Sequence, residues 1–234
     1  MRVKTMVLFN DFTFATRVAE LSKKTGLGGS ETLFEQHGRN QLVAFISQGG
    51  FPNHKVLDAG CGTLRGGFWF ITFLNKGNYF GLETIERHDN NDIENALEIL
   101  FDKEVLDYKH PTFHYNDNFD YSPFNQKFDY IIMRSIWTHL GPNDVEKSLD
   151  SFCSHKTRKG ILLTTYFRTM KMEEQYSKNE WMPDSARYTL EWIEKICEKR
   201  QLKVHEFHLD GCFGSPGISC SLGDNQTWLR IESV

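Results

Sequence analysis

Residues 56–67 read VLDAGCGTLRGG, and this stretch constrains the chain more than any other. A short buried strand carrying one carboxylate, Asp58, stops abruptly at Gly60 and Gly62. In an open α/β sheet, ligands bind beyond the carboxyl ends of the strands. Glycines at such a strand end let the backbone come close to a ligand, because no Cβ intrudes. The helix that follows offers unpaired N–H groups and the positive end of its dipole. A dinucleotide fingerprint would need Gly-x-Gly-x-x-Gly, and here position 65 is Arg65. The loop is therefore a ligand-binding turn of another kind, or simply a tight turn.

The rest of the chain supplies the sheet. Short apolar runs predict strands over 55–59, 78–83, 112–115, 128–134, 160–167, 202–209 and 226–232. Between them, apolar residues at helical spacing predict helices over 68–74, 92–106, 143–155 and 190–200. Strand and helix in alternation imply an α/β fold with a mainly parallel seven-stranded sheet and helices on both faces. The last two strands have no helix between them and should pair antiparallel at one edge. Ahead of the sheet, 15–24 and a run from Glu31 read as helices, so residues 1–50 form a helical segment or lid and 51–234 the main domain. Residues 168–188 show no period, which suits an insertion over a site.

Composition removes several functions. Lys and Arg number 27 against 31 Asp and Glu, a net charge of −4, whereas non-specific nucleic-acid binders carry a basic excess. No apolar run reaches the ~18 residues of a membrane span. The five cysteines, with no Cys-x-x-Cys pair, argue against a zinc site or a disulfide framework and for a reducing cytoplasm. No carboxylate set converges in sequence, so no metal is expected. The aromatic share, 14%, divides between rings at core spacing and rings at strand ends or in the aperiodic stretch, which could wall a pocket.

The second strand, YFGLE, ends on Glu83, a carboxylate placed to accept two hydrogen bonds from a ribose diol. With the glycine turn before it, this arrangement resembles the S-adenosylmethionine site of the class I methyltransferases, which have a Rossmann-like sheet. The resemblance runs from about residue 43 to the end. LRGG, YFGLE, PTF, FNQKFDYI and SIWTHL are most similar to a bacterial small-molecule branch, some of whose members modify surface-polysaccharide building blocks. The resemblance implies S-adenosylmethionine as cofactor, held by Asp58, Ala59, Gly60, Cys61, Gly62, Arg65, Glu83, Asp117, Asn118, Arg134 and Ser135. Asp117 falls where the family carries an acidic residue near the adenine. The family commonly has Gly where this chain has Leu64, with its glycines displaced to Gly66 and Gly67, so the turn is re-shaped and Arg65 is directed at the cofactor or at a neighbouring carboxylate.

Methyl transfer to a hydroxyl needs a general base with a pKa near neutral. His139, just past the fourth strand, fits that task. Trp137, Tyr166, Arg168 and Trp181 lie at strand ends or in the aperiodic stretch and are expected to face the acceptor. The sequence after the fourth strand, Met133 to Ile136, lacks the Asn or Asp followed by Pro-Pro that base-methylating enzymes of this fold carry. The expectation is O-methylation of a small sugar or sugar-nucleotide acceptor. N- or carboxyl-methylation of another metabolite, and a non-catalytic cofactor-binding role, stay open, as does the choice between monomer and homo-oligomer.

Overall fold

The computed structural model describes residues 11–26, 31–171, 186–209 and 226–234. Two helices lead in, α1 (Asp11–Thr25) and α2 (Glu31–Ser47). The sheet then begins with β1 (Val56–Ala59), followed by α3 (Gly67–Phe73), β2 (Tyr79–Glu83), α4 (Ile85–Asp89), α5 (Asp92–Leu100), α6 (Lys103–Lys109) and β3 (Thr112–Tyr115). The second half runs β4 (Phe128–Met133), α7 (Pro142–His155), β5 (Lys156–Arg168), β6 (Arg187–Tyr188), α8 (Leu190–Glu198), β7 (Leu202–Phe207) and β8 (Gln226–Ser233).

Across the sheet the order is β3-β2-β1-β4-β5-β8-β7, with the two-residue β6 beside β5. The first five strands of that order are parallel, and β8 runs against both β5 and β7. The expected α/β architecture is thus present, with the antiparallel pairing at one edge and β8 one place in from the outermost strand. The order doubles back between β1 and β4, so a crevice opens where the connections after these two strands part to opposite sides.

Successive residues of the central strands feed two cores, as the two-residue period of a strand requires. Leu57, Ile131, Met133 and Leu162 face α7 and α8, where Leu149, Phe152, Ile193 and Ile196 receive them. Val56, Tyr130, Ile132 and Leu163 face the other side and pack with Leu21, Phe45, Phe70 and Ile93. Every residue of β1 and β2 is buried, which places the strand ends bearing the glycine turn and Glu83 deep in the molecule.

Two boundaries differ from the expectation. The helix expected over 92–106 is two helices, α5 and α6, broken at Phe101, whose backbone is extended. Its ring is buried 5.2 Å from Phe68, and reaching that partner takes the residue out of the helix. Strand β5 starts at Lys156 rather than 160, with an irregularity in its pairing between Phe128 and Tyr130. A Cβ on Gly160 would lie 2.6 Å from the Lys156 Cβ and 2.8 Å from the Phe128 carbonyl, so glycine is what fits at this bulge.

Candidate active site

The turn after β1 is clamped to β2. The N–H groups of Gly60 and Cys61 both donate to the Leu82 carbonyl, at 2.8 and 3.1 Å. Gly60 has φ +85°, a left-handed conformation that favours glycine, and a Cβ there would lie 2.2 Å from Ile136 Cδ1. The Gly62 N–H donates to Glu83 Oε2 at 2.6 Å, and the Thr84 N–H donates to Oε1 at 2.9 Å. Each carboxylate oxygen keeps a further lone pair for a ligand.

The displaced glycines of LRGG have a packing cause. A Cβ on Gly66 would sit 2.4 Å from Gln41 Oε1, and one on Gly67 would sit 2.6 Å from the Tyr79 hydroxyl. On α2, a Cβ at Gly38 would strike the Arg65 carbonyl at 2.1 Å. The turn is therefore shaped by the close approach of α2, which delivers Gln41 to its edge.

Asp58 is buried beneath the turn and accepts a 2.9 Å hydrogen bond from the Tyr79 hydroxyl. Burial pushes its pKa from 3.8 up to about 7; the Tyr79 bond opposes this and the Glu83 charge adds to it. A carboxyl whose folded pKa lies above its unfolded value stabilises the fold fully below the unfolded value and loses that contribution as pH rises through the folded one. Asp58→Asn is therefore expected to gain melting temperature relative to the wild type as pH rises from about 4 to about 8. A difference that stays flat over that span would show that Asp58 ionises in its ordinary range. Burial also drives the Cys61 thiol well up, aided by Glu83 and Asp58, so Cys61 is a neutral wall of the cleft.

At the end of β4 the chain turns through Ser135, a non-glycine residue with φ 60°. The Ser135 N–H donates to Thr165 Oγ1 at 2.8 Å, and its hydroxyl is held by Gln226 and Arg134. Burial lowers the Arg134 pKa to about 10, with the Arg65 charge acting in the same direction, and both side chains line the cleft. Burial lowers Arg65 as well.

These elements enclose a cleft of ≈ 840 Å³ at the carboxyl ends of the strands. Asp58, Gly60, Cys61, Gly62, Arg65, Glu83, Asp117, Arg134, Ser135 and His139 all line it. Ten of the sequence-predicted residues therefore meet at one place, brought there by the ends of four strands, β1 to β4. Asp117 also accepts from the Ile85 N–H at 3.1 Å and so fixes the start of α4 at the rim.

Other expected residues lie elsewhere. Ala59 is buried in β1, behind the cleft wall. Asn118 turns its side-chain oxygen to the Asp120 N–H within its own loop. Trp137 is not an acceptor wall: it is fully buried, and its indole N–H donates to Ser148 Oγ at 3.0 Å. Tyr166 is likewise core, its hydroxyl bonded to Glu206. Arg168 pairs with the same Glu206 at 2.8 Å, away from the cleft. Trp137 and Tyr166 lie at strand ends but are buried in the core, and Arg168 is exposed on the surface beside Glu206. Tyr188 packs in that core too, stacked on Trp192 at 4.8 Å. Phe14, of the leading aromatic group, packs 4.9 Å from Phe68. Trp181 and Tyr176 lie outside the described residues. The cleft also takes in Gln41, Thr63, Glu86, Asn116, Phe119 and Asp144. Thr63, Glu86 and Asn116 adjoin the predicted motifs in sequence, whereas Gln41, remote on α2, gave no sequence signal.

A family model described as a methyltransferase domain matches residues 51–215. The chain belongs to the methyltransferase family. It is a class I S-adenosylmethionine-dependent methyltransferase. Among solved structures, this methyltransferase is similar to the magnesium protoporphyrin IX methyltransferase of Synechocystis PCC 6803 with bound SAH, at 16% identity and a TM-score of 0.59, over 97% of this chain and 96% of that one. It is also similar to a glycopeptide N-methyltransferase, at 12% identity and a TM-score of 0.59, over 84% and 90% of the two chains. An O-methyltransferase family protein from Burkholderia thailandensis matches at 13% identity and a TM-score of 0.51, over 83% of this chain and 55% of that one. Among the described residues, no helix of this methyltransferase is long and apolar enough to cross a membrane.

Proposed function

We propose that this methyltransferase acts on a hydroxyl oxygen of a small acceptor, a sugar or sugar nucleotide, and that His139 receives the hydroxyl proton. One observation carries this reading. Of the three residues of the 3-10 turn after β4, Trp137 and Thr138 are buried, and His139 borders the cleft that holds the glycine turn and Glu83. The acceptor class rests on the resemblance to bacterial enzymes that modify surface-polysaccharide building blocks, and on a net charge of −4, which disfavours a nucleic acid.

The cleft fits the cofactor. Its volume falls in the range of about 300–1,000 Å³ usual for small-molecule sites. Glu83 has lone pairs left for a ribose diol, Asp117 is at the rim where an adenine edge would lie, and the Gly60–Gly62 backbone leaves room for close approach. When bound, S-adenosylmethionine supplies a methyl group on a sulfonium leaving group, so the protein's part is to orient the acceptor and remove its proton. Arg134 and Ser135 line the same cleft as His139. On this reading residues 51–234 are the methyl-transferring unit, with an insertion near 168–188, and 1–50 are a helical segment or lid.

His139→Ala is expected to lower kcat by about a hundredfold, the lower end of what a positioned base contributes, with little change in S-adenosylmethionine affinity. Mass spectrometry of product formed from a panel of nucleotide sugars and phosphorylated sugars measures it. A kcat left within a fewfold would remove His139 as base and favour an N- or carboxyl-acceptor, which needs no proton taken by a strong base.

A further inference from the structure

The geometry points to Tyr188 as a positioning residue for His139. Its hydroxyl, together with the Ala186 N–H, fixes the turn after β4 so that His139 stays at the cleft. The inference rests on the reading of His139 as base and names what holds that base in place. Neither Tyr188 nor Ala186 is among the residues lining the cleft, so both act through the turn.

A three-residue 3-10 turn supports itself weakly, because its hydrogen bonds have poorer geometry than those of an α-helix. Here the His139 N–H donates to the Ile136 carbonyl at 2.9 Å, but the Leu140 N–H reaches the Trp137 carbonyl only at 3.4 Å. Among the described residues, no side chain caps the start of the turn. Contacts from outside therefore hold it. Trp137 anchors the entrance through Ser148. The carbonyls on either side of His139 are both taken by the segment around β6. The Ala186 N–H donates to the Thr138 carbonyl at 2.6 Å, and the Tyr188 hydroxyl donates to the Leu140 carbonyl. Both neighbours of His139 are thus tied down, while His139 itself borders the cleft.

Tyr188 is fixed independently of that bond. Its carbonyl accepts from the Thr169 N–H at 3.0 Å, and β6 pairs in parallel with the end of β5. Its ring is fully buried and stacks on Trp192 at 4.8 Å. Thr189, the next residue, caps α8 by accepting from the Trp192 N–H at 3.2 Å. With backbone and ring both pinned, the hydroxyl is a fixed point and the turn is the part it holds. Removing the hydroxyl leaves a buried carbonyl without its donor, which favours a shift of the turn. A displacement of about 1 Å at a reacting group can cost about a hundredfold in rate.

Tyr188→Phe tests the inference, because it deletes the hydroxyl and keeps the ring. Tyr121→Phe is the control: Tyr121 is fully buried in the same core, and its hydroxyl has no partner among the described residues. The first readout needs no acceptor. The protein's nine histidines are labelled with ¹³C at Cε1, and the His139 resonance is identified by its loss in His139→Ala. Spectra are taken with and without S-adenosylhomocysteine. The His139 resonance is expected to move in Tyr188→Phe and to stay in Tyr121→Phe, with thermal melts showing each variant folded. A His139 resonance unmoved by Tyr188→Phe overturns the inference. The second readout is a double-mutant cycle on an acceptor from the nucleotide-sugar panel. Tyr188→Phe is expected to lower kcat about tenfold, with KM and S-adenosylhomocysteine affinity within about twofold, and to lower it less than twofold in the His139→Ala background. An equal loss in both backgrounds overturns the inference, since Tyr188 then acts on something other than His139. Should His139→Ala leave kcat within a fewfold while its resonance still moves in Tyr188→Phe, the base reading fails and the clamp on the turn stands. The converse, a large loss in His139→Ala with none in Tyr188→Phe, keeps the base and overturns the clamp.

Discussion

Trp137→Ala is expected to cost about 3–5 kcal/mol of folding stability, the usual range for removing a large aromatic from a closed core. Trp137 is fully buried, two residues before the residue proposed as base, in the core formed by α7, α8 and one face of the sheet. Its indole N–H donates to Ser148 Oγ, which in turn donates to the Val145 carbonyl at 2.7 Å. Alanine would leave a cavity and strip Ser148 of a donor, and nothing near it in the core can move to fill the space cheaply. Urea unfolding followed by circular dichroism measures the loss. A change below about 1 kcal/mol, accompanied by a raised KM for an acceptor, would put the ring back on the acceptor wall.

That prediction marks where sequence reasoning stopped. The backbone position of Trp137 was legible, because a strong strand followed by a short turn fixes what lies at the carboxyl edge. The direction of its side chain was not. Trp137 is at a strand end in sequence, but the 3-10 turn rotates successive residues by a third of a turn, so Trp137 and Thr138 face the core and His139 the cleft. The same ambiguity misplaced Tyr166, for which a two-residue period allows either face and only the packed helices decide.

The glycine turn was legible for a different reason. Strand, carboxylate and glycine in succession leave few backbone paths, and Glu83 follows at the end of the next strand, whose register with β1 pairs Ala59 with Leu82. Local chemistry and sheet topology therefore agree on the same cleft. LRGG was legible only as a departure. Its cause is tertiary, the contact of Gly38, Gln41 and Arg65, and no periodicity in α2 announces that a glutamine there will reach the end of β1. The break in the helix after Leu100 has a similar origin: Phe101 has a helix-compatible sequence around it but a better partner in Phe68.

Glu83→Ala is expected to weaken S-adenosylhomocysteine binding by roughly 10²–10³-fold, the equivalent of two hydrogen bonds to a charged carboxylate at about 1.5–3 kcal/mol each, less what water recovers. The substitution also frees the N–H groups of Gly62 and Thr84, which Glu83 now orders at 2.6 and 2.9 Å, so the glycine turn loses its anchor to β2. Stability should fall less than affinity, because removing the Glu83 charge relieves its repulsion of buried Asp58. Calorimetric titration of the wild type and of Glu83→Ala with S-adenosylhomocysteine tests most directly whether this cleft is the cofactor site. The account predicts one saturable site per chain in the wild type and near-complete loss of binding in the folded variant; no binding to the wild type, or equal affinity in the two proteins, would contradict it.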